Sequence, residues 1–349
     1  MKNILMLGPA LNVKGGVTTV ENLIVNDAGF NDRFSLRFIP THRDAGKAAK
    51  AAVALLALAR FSFDMIFGPT DIVYVHMAHY ASFYRKSIFV FLAALFGKKI
   101  IIHMHGGNFD TFYGNAGDRK KRLFKKVINK AARVIVLTDQ WKDFYSQLVS
   151  TDKIVVIHNG VRIPPVNHYS AESRYITYLG RFDPKKGIYD LLSVVKDIAA
   201  EYPGFRFYMA GNGDIDSVRS FITQKGISES VILEDWLDED HKATILDQTS
   251  IFALPSYFEG LPMAVLEALS FGIPVVAADV GGLSEAISNG REGLLFKAGD
   301  IEGLKAAIIT LLDDAPRRLR MSENAYKKAR ERFDANIFIE KLTAVFDCI

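Results

Sequence analysis

The chain has 349 residues, of which 49% are hydrophobic and 23% are charged, and its formal net charge is +4. This composition excludes a disordered chain and predicts two folded domains of about 150 to 200 residues each. The weak positive charge, without an aromatic RNA-binding motif or a zinc-ligand spacing, argues against a nucleic-acid-binding protein.

Cysteine usage and apolar run lengths indicate the compartment. Cys348 is the only cysteine, so a disulfide framework and a cysteine-based metal site are excluded. The N-terminal apolar run is shorter than a secretory signal, and the stretches Ala51 to Ala59 and Ile88 to Gly97 are shorter than the roughly 20 residues that span a bilayer. We therefore expect a cytoplasmic protein.

Short β-branched and aromatic runs alternate with helical stretches along the first half of the chain. The runs are ILML at residues 4–7, Ile72 to His76, Ile100 to Met104, Val134 to Thr138 and Ile154 to Ile157. Near-continuous apolar strands separated by helices predict a parallel sheet covered on both faces.

Two strand ends in this half carry candidate ligand-binding residues. Gly15 and Gly16 precede a helix, and their amides could face a phosphate or could simply form a strand-to-helix turn. His105 and two glycines follow the strand IIIHM, where a ligand could come near, although a single histidine is more often structural. His103 lies on the same strand face and is the better candidate for a core residue.

The segment DRKKRLFKKVINK predicts a basic amphipathic helix over residues 119–130. Its basic side comprises Arg119, Arg122, Lys126 and Lys130, and its apolar side comprises Leu123, Phe124, Val127 and Ile128. Such a helix can contact anionic lipid or can pack on the core with a solvated basic face. A second basic and apolar segment, FYRKSIFVFLAALFGKK, lies in the same half.

The alternation of strands and helices restarts after a polar linker with paired prolines, at about residues 160–174. The second set of runs is YITYLG, FRFYMAG, VIL, IFALP, PVVAAD and LLF. The chain is therefore predicted to be α/β, with two doubly wound domains and a functional cleft between them.

Several strand ends in the second half carry phosphate-competent turns. GRFDPKKG places Arg181 and Lys186 before a helix, where the pair could neutralise a diphosphate or could belong to a solvated loop. MAGNGD places Gly211 at a neighbouring strand end, and VVAADVGG repeats the arrangement at Gly281 and Gly282.

The stretch PSYFEGLPMAVLEALSFGIPVV sets Glu259 before a helix that begins near Pro262, and Glu267 about one turn inside it. For such a pair alone, a dipole-stabilised carboxylate and a solvated helical glutamate are the ordinary interpretation. We predict that Ala264, Val265, Ala268 and Leu269 form the apolar stripe.

An acidic D-x-D at Asp238 and Asp240 resembles a metal-binding motif. We favour the alternative in which Asp238 caps a helix spanning Lys242 to Gln248, and we predict no metal site.

The motifs GRFDPKKG, EGLPMAVLE and GGLSE, in this order after a GGV turn and an HG turn, resemble the retaining glycosyltransferases of family 4. EGLPMAVLE matches the family's E-x7-E motif, and the resemblance covers nearly the whole chain. It implies the GT-B fold, in which two Rossmann-like domains face a cleft. We expect an acceptor-binding domain at residues 1–165, a nucleotide-sugar-binding domain at 166–332, and a C-terminal helix at about 333–349 that crosses back to the first domain.

The resemblance also implies roles for single residues. Arg181 and Lys186 resemble the diphosphate clamp, Glu267 the carboxylate that accepts ribose hydroxyls, Glu259 the one that holds donor-sugar hydroxyls, and His105 the histidine near that sugar. Further residues resemble donor-binding backbone positions; they are Gly15, Gly16, Gly211, Gly260, Leu261, Met263 and Ala264.

The implied activity is transfer of a hexosyl group from a UDP- or GDP-sugar to a glycan or lipid-linked acceptor in bacterial surface polysaccharide biosynthesis. No cofactor or nucleic acid is implied, and the basic helix suggests peripheral contact with the inner face of the cell membrane. The alternatives are a sugar-nucleotide epimerase of the same plan and a non-catalytic nucleotide-sugar-binding protein. A dehydrogenase is disfavoured because the sequence lacks GxGxxG.

Overall fold

The computed structural model describes residues 1–349, except for the Lys47 side chain. The chain divides into two units. The first unit comprises Met1–Gly160 and Ala335–Ile349, and the second comprises Val161–Asp334. The first boundary falls at the start of the predicted linker.

The first unit is built on a six-stranded parallel sheet. Its strands are β1 (Lys2–Pro9), β2 (Phe34–His42), β3 (Ile72–Met77), β4 (Lys99–Met104), β5 (Arg133–Val136) and β6 (Ile154–Val156). The order is β2-β1-β3-β4-β5-β6, so the chain reverses its direction of progress between β1 and β3. In open α/β sheets, ligands bind at the carboxyl ends of strands at such a switch point.

Seven helices connect these strands among the residues described. They are α1 (Gly16–Val25), α2 (Ala28–Arg33), α3 (Lys47–Phe67), α4 (Ala81–Leu95), α5 (Phe109–Gly114), α6 (Asp118–Ile128) and α7 (Asp139–Ser146). A short 3₁₀ turn covers Thr151–Lys153. One apolar core lies between the sheet and α3, α4, α6 and α7.

The second unit repeats the plan. Its strands are β7 (Tyr175–Leu179), β8 (Arg206–Ala210), β9 (Val231–Glu234), β10 (Thr249–Leu254), β11 (Val275–Ala278) and β12 (Gly293–Phe296). The parallel order is β12-β11-β10-β7-β8-β9, so the switch point lies between β7 and β10.

The helices of the second unit are α8 (Ile188–Glu201), α9 (Ile215–Lys225), α10 (Glu239–Asp247), α11 (Met263–Ser270), α12 (Leu283–Ala286), α13 (Ile301–Asp313) and α14 (Ala315–Arg332). Short 3₁₀ turns cover Pro184–Lys186 and Ser228–Ser230.

The last helix, α15 (Ala335–Asp347), belongs to the first unit. Phe346 packs its ring against Phe30, Phe34 and Tyr74. Lys2 Nζ donates hydrogen bonds to the main-chain oxygens of Phe346 and Asp347, each at 2.9 Å. Apolar burial and these end contacts hold α15 against the first sheet.

Strand β2 is absent from the sequence prediction. Most of its residues, FSLRFIPTH, are partly exposed, because β2 lies at an edge of the sheet. A search for continuous apolar runs finds strands that are buried on both faces and overlooks a half-exposed edge strand.

Candidate active site

The loops after β7 and β10 flank the switch point of the second unit and are locked together through their main chains. A Cβ on Gly187, which has φ +68°, would lie 2.0 Å from the Pro255 carbonyl oxygen, so only glycine fits there. Tyr257 N donates to Lys185 O at 3.0 Å. GRFDPKKG and PSYFEG therefore form one continuous surface.

This surface places Lys186 against Glu259. Lys186 Nζ donates to Glu259 Oε1 at 2.7 Å, and the two side chains are 29% and 8% exposed. Arg181 lies in the same loop, is exposed, and makes no ion pair with any described residue. The site thus holds one cation that is already paired with a buried carboxylate and a second that is open to an anion.

The loop after β8 closes on the same surface. A Cβ on Gly211 would lie 1.7 Å from the Gly180 carbonyl oxygen, so this glycine is sterically required. Gly213, at φ +113°, is held between Phe182 O and the Arg181 side chain. Gly211 therefore lies against a neighbouring loop of the protein itself.

Helix α11 begins next to Glu259. Pro262 is its N-cap, and its first hydrogen bond runs from Val265 N to Pro262 O, so the amides of Met263 and Ala264 precede the hydrogen-bonded turns. Gly260 and Leu261 are buried in the connecting turn.

The predicted apolar stripe of α11 was partly wrong. Leu266, which it omitted, is fully buried, whereas Ala264 is only partly buried. The helix packs on several sides, which a one-sided stripe does not describe.

Glu267 has a partner that the sequence did not reveal. Lys242 Nζ, on α10, donates to Glu267 Oε1 at 2.7 Å and to Glu239 Oε1 at 2.9 Å. Burial lowers the pKa of Lys242, but the charges of Glu267 and Glu239 outweigh it, so the net pKa is raised. Lys242 therefore stays charged and fixes one oxygen of Glu267.

The acidic D-x-D belongs to the start of α10. Asp238 is the N-cap and accepts from His241 N at 2.8 Å, and Asp240 lies in the first turn. Asp238 is the cap as predicted, but the helix spans Glu239–Asp247 and not Lys242 to Gln248, because the acidic residues after the cap already form its first turn.

In the first unit, Gly15 and Gly16 start α1. Gly15 is the N-cap, Gly16 is the first helical residue, and a Cβ on Gly15 would meet no atom within 4 Å among the described residues. Packing within the unit therefore does not require glycine at position 15.

His105 follows β4 beside the switch point of the first unit and is part of a histidine cluster. Its Nε2 lies 2.8 Å from His76 Nδ1, and its ring is tilted against that of His103, with centroids 4.1 Å apart. His103 is fully buried and shares a hydrogen bond of 2.7 Å with Tyr74. Burial lowers the pKa of His105, and the neighbouring histidines and Lys86 lower it further.

Among the described residues, His76, His103 and His105 form the group whose ligand atoms could share a metal ion, since these atoms lie within 4.8 Å of one another. Asp238 and Asp240 are not part of it.

Two family models cover most of the chain. The description "Glycosyltransferase Family 4" matches residues 23–163, and "Glycosyl transferases group 1" matches residues 162–328. The chain belongs to glycosyltransferase family 4.

Curated relatives of this family 4 member align at low identity. Glycogen synthase from Mycobacterium tuberculosis is 28% identical over 191 residues, which are 52% of this chain and 45% of that protein. The UDP-Gal:alpha-D-GlcNAc-diphosphoundecaprenol alpha-1,3-galactosyltransferase of Escherichia coli is 24% identical, over 93% of this chain and 88% of its own. The chain spans about half the length of the glycogen synthase and about three-fifths of several other relatives.

Solved structures share the fold along the whole chain. Sucrose-phosphate synthase from Thermosynechococcus elongatus has a TM-score of 0.81 at 16% identity and covers 99% of this chain and 98% of its own. HepE from Anabaena, in complex with UDP-glucose, has a TM-score of 0.78 at 18% identity and covers 100% of both chains. The two α/β units have the GT-B fold.

Helix α6 presents the predicted basic face but ends at Ile128, so Lys130 lies just beyond it. Arg119, Arg122, Lys126 and Lys130 are all exposed. Phe124, Val127 and Ile128 are buried in the core of the first unit, so the apolar side of α6 is already occupied. No helix among the described residues is long and apolar enough to cross a membrane.

Lys242 and His76 are site residues that sequence reasoning missed. Lys242 occurs only as part of an ordinary helix pattern, and His76 ends an apolar strand. The only local signal for the histidine cluster was that one apolar run ends in His76 and the next is followed by HMH, at residues 103–105.

Proposed function

We propose that this protein transfers a hexosyl group from a UDP- or GDP-sugar to a glycan or lipid-linked acceptor, with retention of configuration and without a metal ion. The observation that carries the proposal is the cation pair at the switch point of the second unit. Lys186 is held at 2.7 Å by the buried Glu259, and Arg181 is exposed in the same loop without an ion-pair partner among the described residues.

A diphosphate is the ligand that suits these two cations. A guanidinium can bind two phosphate oxygens at once, and an ammonium adds a point charge. In the free protein, Glu259 neutralises Lys186 and keeps the ammonium at the site. The amides of Met263 and Ala264 supply further donors at the start of α11.

Glu267 is suited to the ribose. Because Lys242 binds Oε1, the carboxylate keeps one orientation and its second oxygen can accept ribose hydroxyls. Glu259, next to the start of α11, is assigned to the donor sugar.

In the proposed reaction, the bond between the anomeric carbon and the diphosphate oxygen breaks, and the acceptor oxygen bonds to the same face of the sugar. The acceptor proton moves to a diphosphate oxygen. Arg181, Lys186 and the α11 amides stabilise the negative charge that develops on the leaving group. These groups supply that stabilisation without a cation from solution.

A lipid-linked acceptor is supported by the E. coli relative, whose name specifies a diphosphoundecaprenol substrate. We therefore assign the protein to bacterial surface polysaccharide biosynthesis, working in the cytoplasm at the inner face of the membrane. An exposed apolar stripe along α3 supports contact with lipid: Leu55, Leu56, Phe63, Ile66 and Phe67 are each more than half exposed. Monomer surfaces rarely expose contiguous apolar patches of this kind.

The first unit also carries exposed basic side chains on α6. Lys126 of α6 lies over the ring of Phe91 on α4, and α4 packs on α3. The occupant we assign to this surface is an anionic bilayer, because the apolar side chains can enter the headgroup boundary while the basic ones meet lipid phosphates.

Flotation with phosphatidylglycerol vesicles and with phosphatidylcholine vesicles tests this contact. We expect binding to the anionic vesicles only, lost in Leu56→Glu and kept in the control Val166→Glu, which changes an exposed apolar residue of the second unit. Absence of binding to both vesicle types would contradict the membrane assignment.

Calorimetric titration with UDP and with GDP, in EDTA, tests the donor site. We expect one nucleotide to bind and Arg181→Ala to weaken it at least tenfold, the value of about 1.4 kcal/mol for one lost charge-assisted contact. Lys185→Ala, in the same loop, is the matched control. Binding that requires a divalent metal would contradict the clamp. Release of an altered sugar or nucleotide without acceptor would indicate an epimerase.

A further inference from the structure

A cluster of buried polar groups lies beneath His105 in the first unit. Its members are Glu21 on α1, Tyr74 and His76 on β3, Lys86 on α4, and His103 on β4, and all five are at most 2% exposed. Removing so many polar groups from water is costly unless they bond to one another. The proposed function uses none of the five.

The ring of His76 is aligned with that of His105. The two ring planes are within 8° of each other, and His76 Nδ1 and His105 Nε2 are 2.8 Å apart. This is the geometry of an in-plane hydrogen bond in which one nitrogen carries the proton. Nδ1 of His105 makes no hydrogen bond with any described residue.

The surroundings of His76 decide which nitrogen carries the proton. Burial, together with His103 and Lys86, holds the pKa of His76 well below its usual value, so the ring is neutral and has one proton. His76 Nε2 is buried and has no hydrogen-bond partner in the described chain. A buried N–H without an acceptor is rarer than a bare acceptor, so the proton belongs on Nδ1.

His76 therefore donates to His105 Nε2. Because His105 is also neutral, its single proton must lie on Nδ1, directed away from His76. The fixed tautomer of the buried His76 therefore fixes the tautomer of the half-buried His105, which becomes a hydrogen-bond donor through Nδ1.

Neighbouring groups fix the position of His76. Lys86 Nζ donates to the His76 carbonyl oxygen, and Glu21 Oε1 lies 3.8 Å from His76 Nδ1. Glu21 fits there only because residue 8 is glycine, since a Cβ at that position would lie 1.8 Å from Glu21 Oε1. The strand end and the ring therefore have little freedom to move.

We infer that His76 is a positioning residue that holds His105 as its Nδ1–H tautomer, so that His105 donates a hydrogen bond to an oxygen of the donor sugar. The ligand in this inference rests on the proposed function, whereas the tautomer rests on the cluster alone.

A metal centre is the other use of three clustered histidines. Around a bound ion the rings radiate from the metal, whereas here His76 and His105 are coplanar and joined nitrogen to nitrogen. The Lys86 amine beside them would also repel a cation when charged. The geometry favours a shared proton.

Nitrogen NMR of the full chain carrying ¹⁵N-labelled histidine reads the tautomer directly. His105→Gln identifies the His105 signals by their loss. In the unsubstituted protein we expect a protonated Nδ1 and a bare Nε2 on His105. His76→Leu should change this pattern, and His76→Asn should retain it, because the asparagine Nδ2–H can replace the histidine Nδ1–H.

Turnover of UDP-galactose, UDP-glucose and GDP-mannose gives the second readout. His76→Leu should lower kcat about tenfold, the usual effect of one lost hydrogen bond, while His76→Asn stays within about twofold. Affinity for the free nucleotide should be unchanged in both variants, because the diphosphate clamp lies in the second unit.

Four results would overturn the inference: a proton on Nε2 of His105, an unchanged tautomer in His76→Leu, equal loss of turnover in both variants, or stoichiometric zinc in the purified protein with metal-shifted histidine signals. The expected tautomers without turnover of any donor would support the positioning role and refute the proposed function.

Discussion

Removing the charge of Lys186 measures how much the ion pair between Lys186 and Glu259 contributes to the free energy of unfolding. Lys186→Met keeps the alkyl chain and leaves Glu259, which is 7% exposed, without its cation. Breaking a fully buried pair costs about 3–5 kcal/mol and breaking an exposed one less than about 1 kcal/mol. Because the Lys186 side chain is 29% exposed, we expect an intermediate loss of about 2 kcal/mol.

Differential scanning calorimetry measures this loss. For a domain of the size of the second unit, about 2 kcal/mol lowers Tm by roughly 4–8 °C. Lys185→Met is the control, because the exposed Lys185 side chain lies over the Phe258 ring, at 5.9 Å, and makes no ion pair with a described residue. Its Tm should change by less than about 2 °C.

The double substitution Lys186→Met with Glu259→Gln completes a cycle. A neutral amide costs less to bury than an unpaired carboxylate, so the double variant should regain most of the lost stability. Additive losses, or equal shifts for Lys185→Met and Lys186→Met, would refute the claim that Glu259 depends on Lys186 for its burial.

Three further predictions concern the same two sites. Gly211→Ala places a Cβ 1.7 Å from a main-chain oxygen and should lower the free energy of unfolding by about 2–3 kcal/mol. The control Gly204→Ala, whose Cβ meets no described atom within 4 Å, should change that free energy little. Equal midpoints of urea unfolding for the two variants would contradict this prediction. Glu267→Ala should weaken nucleotide binding in calorimetry, whereas Glu259→Ala should spare it and lose turnover; equal loss of affinity would show the roles to be misassigned. Burial raises the pKa of Glu21 from 4.5 to about 8, and the charge of Lys86 offsets this rise only in part. Between pH 4.5 and 8, Glu21 therefore binds more protons in the folded protein than in the unfolded chain. The Glu21 contribution to the free energy of unfolding should therefore fall as pH rises from 4.5 to 8, by at most about 1.4 kcal/mol per pH unit, and Glu21→Gln should remove this slope; parallel curves for the two proteins would refute it.

Most of the fold could be predicted from the sequence, because buried parallel strands are continuous apolar runs and helices have their own period. The sequence analysis did not predict strand β2, because this strand is half exposed and contains Pro40. The start of α11 was predicted well, but its packing was not, since Leu266 is buried on a side of the helix that the predicted stripe omits.

For the candidate site, the sequence could identify residues but not establish their roles. Arg181, Lys186 and Glu259 could be selected because they occupy turns after strands, and such turns gather at one edge of a parallel sheet. Glu267 lies inside α11 and was selected through the E-x7-E resemblance. Their roles in binding the donor stay predictions.

By itself, the sequence determined the α/β class, the two-unit organisation and the turns that carry charge, because these depend on the spacing of residues near one another in the chain. Only the tertiary structure decided the partners. Lys186 meets Glu259 from 73 residues away, Lys242 meets Glu267 from 25, and His76 meets His105 from 29. These pairings follow from strand order, which is set by packing of the whole sheet and is encoded in no short stretch of the chain.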